Sequence, residues 1–100
     1  MNMQQMMIQA QKMQRELRKA QAALAEKEFT VKKGAAVTVV VYGNKQIKSV
    51  IIEKDAFDPD NKEMIEDMIV LAINEALEQI EKENEEINER ITGQSGGLGF

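Results

Sequence analysis

The chain has 100 residues, 43% of them apolar but only 4% aromatic, and it contains neither cysteine nor histidine. Those absences exclude disulfides, thiolate nucleophiles, imidazole acid–base chemistry and the usual zinc ligands, and a chain of this length buries too little surface for a large monomeric core, so oligomerisation is an expected source of stability. The formal net charge of −4 conceals a division: residues 1–54 carry ten basic and four acidic side chains, residues 55–100 three basic and thirteen acidic ones. Such asymmetry points to a polyanion-binding surface set apart from an acidic one, because phosphates respond to the local field and not to the total charge. The opening MNMQQMMIQAQKMQ lacks the basic start and apolar core of a secretory signal, and no run reaches the roughly 18 apolar residues of a membrane span. The chain therefore reads as cytoplasmic, without a membrane partner.

In chain order, Met3, Met6, Ala10, Met13, Leu17, Ala20 and Leu24 recur at alternating spacings of three and four, the a/d seam of a heptad repeat, and predict a helix over residues 3–27. The intervening glutamines are acceptable helix formers, and neither Gly nor Pro interrupts the run. A stripe this narrow requires a partner helix. Met at seam positions packs adaptably and specifies geometry weakly, so the seam is expected to be loose unless the rest of the fold braces it.

Three strands follow, at about 28–33, 36–42 and 46–53. Lys33-Gly34 supplies the first turn. In AVTVVVY the β-branched residues alternate, with Val37, Val39 and Val41 on one face and Ala36, Thr38, Val40 and Tyr42 on the other. Gly43-Asn44 supplies residues that tolerate the positive φ of a tight hairpin. Ile47 and the pair Val50 and Ile52 have opposite parity, which predicts a bulge near Lys48-Ser49. The expected product is an antiparallel meander needing cover from helices or another subunit.

The segment DAFDPDN is a loop and helix start, with Asp58 or Asp60 as cap and Pro59 in the first turn. A helix is predicted over about 60–91. Its first half, from Met64 to Leu77, carries a broad apolar arc fit to lie on the sheet, whereas Ile80, Asn84, Ile87 and Ile91 leave a thin seam that projects. Asn84 at a seam position is the kind of polar insertion that fixes helix register. The chain thus divides into a single domain, 1–92, and a Gly-rich tail, 93–100, expected to be flexible.

A Gln- and Met-rich helix, a Val-alternating strand ending in Gly43, a strand ending VIIEKD and then KEMIEDMIVLAINEALEQIEK resemble the YbaB/EbfC family of small bacterial nucleoid-associated proteins. The resemblance runs from about Gln4 to Lys82, and the block Lys62 to Met68 followed by Ala72, Asn74 and Ala76 is its most specific part. It implies an α+β fold: an α-β-β-β-α protomer with a three-stranded antiparallel sheet between long amino- and carboxyl-terminal helices, paired as a homodimer. It further implies binding to double-stranded DNA in the nucleoid, with effects on nucleoid organisation or transcription, and neither catalysis, cofactor nor small-molecule substrate. The chain departs from many relatives in opening directly into its helix and in its short tail.

The resemblance hands over no defined set of DNA contacts, so candidates come from the residues. With Ala10 at heptad position a, Lys12 and Lys19 fall at c, Arg15 at f and Arg18 at b, all on the face away from the seam. They form a cationic stripe that a duplex could meet through its phosphates; the same four also suit the ordinary solvated face of a coiled coil, and the resemblance favours DNA. Lys27, Lys32 and Lys33 extend the basic area, while Lys45, Lys48 and Lys54 lie around the turns, where edge lysines commonly prevent aggregation. No aromatic interleaving points to base stacking, and no recognition-helix pattern is present, so phosphate contacts with low sequence preference are expected. Candidate dimer or helix-packing residues are Met6, Met13, Leu17, Leu24, Leu77, Ile80, Asn84 and Ile87. Glu78, Glu81, Glu85 and Glu89 match a solvated helix face better than a metal site. The alternative to DNA binding is a protein–protein adaptor gripping an unidentified partner through its Met-rich or acidic helix. An enzyme ranks last, because Ser49 and Ser95 have no base to pair with.

Overall fold

The structure, a computed structural model, describes residues 2–93, so all of the expected tail except Gly93 lies outside the described residues. Helix α1 spans Met3–Glu26, and its first turn is capped by Asn2, whose side-chain oxygen accepts from the Gln5 N–H at 2.7 Å. Strands β1 (Glu28–Lys33), β2 (Val37–Tyr42) and β3 (Ile47–Ile52) form an antiparallel meander in the order β1-β2-β3. Two single turns of 3₁₀ helix, Lys54–Ala56 and Pro59–Asn61, lead into helix α2, Lys62–Thr92. This is the α-β-β-β-α order expected from the sequence. Of the two candidate caps, Asp58 caps the 3₁₀ turn Pro59–Asn61, accepting from the Asp60 N–H at 2.8 Å, whereas α2 itself starts from Asn61 without a side-chain cap.

The period-two pattern of β2 decides what the sheet buries. Val37, Val39 and Val41 are fully excluded from solvent and face α2, joined from β1 by Phe29 and Val31. The first half of α2 supplies Ile65, Ala72 and Ala76 to the same core, the two alanines letting the helix approach closely. Ala36 departs from expectation: it lies in the turn before β2 and is buried, its carbonyl accepting from Glu53 N–H at 2.8 Å. The expected bulge is present. Val40 pairs with Ser49 and Val41 with Ile47, leaving Lys48 as the extra residue of β3.

The turn chemistry of the second hairpin differs from the sequence reading. Tyr42 N–H donates to Gln46 carbonyl and Lys45 N–H to Tyr42 carbonyl, both at 2.8 Å, and the residue at positive φ is Lys45 (+73°). This is a three-residue loop whose last position is left-handed. Gly43 is required for a different reason: a Cβ there would lie 1.8 Å from the Leu24 carbonyl oxygen. The loop backbone sits against the end of α1, with Gly43 N–H donating to Lys27 carbonyl at 2.8 Å and Asn44 N–H to Ala25 carbonyl at 3.3 Å. Carbonyls that a helix end leaves unpaired are thus satisfied by the hairpin.

The second half of α2 leaves the sheet and runs antiparallel to α1. Lys27 stands opposite Glu83, and Ala20 and Ala23 share a groove with Ile87 and Arg90. The seam expected to need a partner helix therefore finds it within the same chain: Leu24, Ile80 and Ile87 are buried against each other's helices, with Leu17, Ala20 and Ile91 packed around them. Leu77 joins the same core, half-buried. Gly93 belongs to α2 as its left-handed cap, φ +72°, with its N–H on the Glu89 carbonyl. The resulting arm makes the molecule long, 69 × 24 × 15 Å, with a radius of gyration of 19.1 Å, against about 13 Å for a compact chain of this length.

Candidate nucleic-acid interface

The arm presents two electrically different faces. Lys12, Arg15, Arg18 and Lys19 are exposed along the side of α1 that turns away from α2, and no described residue forms an ion pair with any of them. Seven residues of helix place Lys12 and Lys19 about 10 Å apart along the axis, with Arg15 and Arg18 between. Glu78, Glu81, Glu85 and Glu89 are exposed on α2. Among the described residues no group of three or more acidic side chains is arranged to hold a metal ion.

The lysines around the sheet divide by what they touch. Lys27 Nζ donates to Glu83 Oε1 at 2.7 Å and lies 5.2 Å from the centre of the Phe29 ring. Lys33, half-buried on the α2 side of β1, reaches Glu75 Oε1 at 2.9 Å. Lys27 ties the junction of α1 and β1 to α2 and Lys33 ties β1 to α2, so their charge is balanced locally. Lys32 alternates to the open face of the sheet and has no ion pair among the described residues. Lys48, the bulge residue, bridges to Glu28 Oε2 at 2.9 Å and lies 5.9 Å from the Tyr42 ring centre; its hydrogen bond to Glu28 holds its pKa above the ordinary lysine value. Glu66 does the same for Lys62, one helical turn away at 2.8 Å. Glu75 and Glu83 are the partners that sequence reasoning missed. They stand 42 and 56 positions from their lysines, and no local pattern signals pairs so distant.

The packing candidates also separate. Leu17, Leu24, Leu77, Ile80 and Ile87 serve the chain's own core, and Met13 is half-buried. Met6 remains 56% exposed, beyond the reach of α2. Asn84 is half-buried beside the β2–β3 loop, near Gln21, Leu24 and Lys45. A second exposed apolar area lies where β3 meets α2. Because α2 packs over β1 and β2, β3 is left at the margin, and Ile52, Phe57, Pro59, Ile65 and Ile69 line a cleft of about 360 Å³ there. Phe57 is 75% exposed, and Val50 and Val70 also stand open.

Fold and site together define a small α+β protein with a two-helix arm, cationic along one helix and acidic along the other. The chain belongs to the YbaB/EbfC DNA-binding family, whose model matches residues 1–95. It is 45% identical over 94 residues to a nucleoid-associated protein of Clostridium novyi, covering 93% of this chain and 82% of that one. A nucleoid-associated protein of Enterococcus faecalis is 47% identical over 85 residues, 84% of this chain and 82% of the relative. The fold matches the crystal structure of an uncharacterised Helicobacter pylori protein with a TM-score of 0.76 at 18% identity, over 93% of this chain and 99% of that one. No described helix is long and apolar enough to cross a membrane.

Proposed function

We propose that the protein binds double-stranded DNA as a homodimer in the cytoplasm, mainly through phosphates and with low sequence specificity, and thereby organises the nucleoid or modulates transcription. The observation that carries this reading, beyond family membership, is the stripe Lys12, Arg15, Arg18 and Lys19: four exposed cations on one helix face without an acidic partner among the described residues. Relatives named nucleoid-associated proteins support the cellular setting. Lys32, exposed on the open face of the sheet, is a further cation without an ion pair among the described residues, whereas Lys27 and Lys33 act first as structural ties. The acidic face of α2 repels phosphate and so orients the duplex toward α1. Pairing of two copies is supported by the apolar margin of β3 and α2 around Phe57 and Val70, which a second copy would cover. The protein acts by binding, without catalysis or cofactor.

The test is fluorescence anisotropy of a labelled duplex, with a scrambled duplex alongside, at several salt concentrations. With about four to six phosphates neutralised per dimer, affinity should fall roughly a hundredfold to a thousandfold over a fourfold rise in salt, equally for both duplexes. Absence of binding at low salt would leave the adaptor reading in its place.

A further inference from the structure

The first turns of α1 stand clear of the rest of the molecule. Residues 2–11 carry no charged side chain, and residues 2–12 are exposed throughout. Met3, Met6 and Met7 are 78%, 56% and 58% exposed. A helical extension of this length gains little from propensity alone and owes its order to burial of a face. The face in question is the continuation of the seam: Met3, Met6 and Ala10 prolong the line of Met13, Leu17, Ala20 and Leu24. Helix α2 covers only the inner part of that line because it ends at Thr92, opposite about Leu17.

We infer that the outer seam of α1 docks against the same segment of a second copy, the two helices crossing antiparallel about a two-fold axis beside Met6. Two observations and the symmetry of the resulting contact select this occupant. The seam is continuous with the packed α1–α2 interface, so its spacing already suits an antiparallel helix. The segment is uncharged, so identical copies meet without repulsion, whereas the duplex-binding cations lie on the opposite side of α1, from Lys12 inward. The contact is isologous and closes on itself. Eight to ten residues of helix overlap over about 15 Å and bury less than the roughly 1,000 Å² of a stable interface. Tip pairing is therefore weak in dilute solution and strengthens when bound copies are held at high local concentration. It is distinct from the pairing at β3 and α2 and would link such dimers end to end.

The chain has no cysteine, so single-thiol variants report contact cleanly. Met6→Cys lies on the seam and Ile8→Cys on the opposite side of the same exposed turn. Treated with a short bifunctional maleimide in the absence of DNA and at high protein concentration, where weak tip pairing is populated, the full chain carrying Met6→Cys should cross-link severalfold faster than that carrying Ile8→Cys, and at the same concentration Met6→Glu should remove one association step in sedimentation velocity. Equal yields at the two positions, faster linking at Ile8→Cys, or no linking at either would overturn the inference. These readouts need neither DNA binding nor the other interface: if that interface fails, tip pairing alone yields a dimer that Met6→Glu abolishes.

Discussion

At the scale of single residues, whether a charge or a glycine matters depends on what stands opposite it. Arg15 and Lys27 are both cations that the sequence offers for DNA, but Lys27 is held by Glu83 and Arg15 by no described acid. Arg15→Ala should weaken duplex binding and lower the slope of log affinity against log salt by about one per copy, about two for the dimer, without moving Tm. Lys27→Ala should leave affinity within about twofold and cost at most about 1 kcal/mol of stability, the ordinary worth of a partly exposed pair. Anisotropy titrations and thermal melts on the two variants separate these outcomes. Gly43 poses a different demand. A methyl group there meets the Leu24 backbone, not a side chain able to rotate away. Gly43→Ala should cost about 2–4 kcal/mol, through the clash and the two hydrogen bonds it loosens, and lower Tm by roughly 10 °C or more.

At the scale of elements, the two helices of the arm hold each other while the sheet holds one end of each. The arm core is thin: Leu24, Ile80 and Ile87, flanked by alanines. Ile87→Asp places an unpaired carboxylate in that core and should cost about 3 kcal/mol or more. Its effect should be local. Hydrogen exchange is expected to show α1 amides losing protection while β2, backed by three fully buried valines, keeps its own; equal loss in both would mean that arm and sheet unfold as one unit.

At the scale of the whole molecule, a chain with 19.1 Å radius of gyration has traded compactness for reach. Its sheet is covered on one face, and α2 leaves the β3 margin open, which is the arrangement expected of a protomer that completes its core with another copy. In a Met6→Glu background, which removes tip pairing, Phe57→Asp combined with Val70→Asp should shift sedimentation from dimer to monomer while leaving the far-ultraviolet circular dichroism unchanged. A dimer that persists would move the interface to another surface. The same elongation keeps cations and acids apart: the stripe on α1 and the acidic side of α2 occupy different flanks of the arm, so a net-negative protein can still attract a polyanion.

Local pattern carried most of the architecture, because strand and helix periods are properties of neighbouring residues. The alternation of Val37, Val39 and Val41 and the parity change that signalled the Lys48 bulge specify conformation and buried face within a few positions, and the heptad spacing from Met3 to Leu24 specifies the helix and, over Leu17 to Leu24, the face it buries. The cationic stripe was legible for the same reason, since helical spacing alone places Lys12, Arg15, Arg18 and Lys19 together. Long-range contact decided the rest. The sequence showed two seams in search of partners, and only the tertiary structure joined them to each other, because the meander folds α2 back along α1. Composition could not distinguish Lys27 and Lys33 from free cations, since their carboxylates arrive from α2 across the fold. Nor could turn statistics show that Gly43 is needed for close approach to Leu24 while Lys45 takes the left-handed position. The sequence by itself determined which elements form and which faces they bury, through interactions between near neighbours; the tertiary structure alone determined which charges remain unpaired, because that depends on groups brought together from distant parts of the chain.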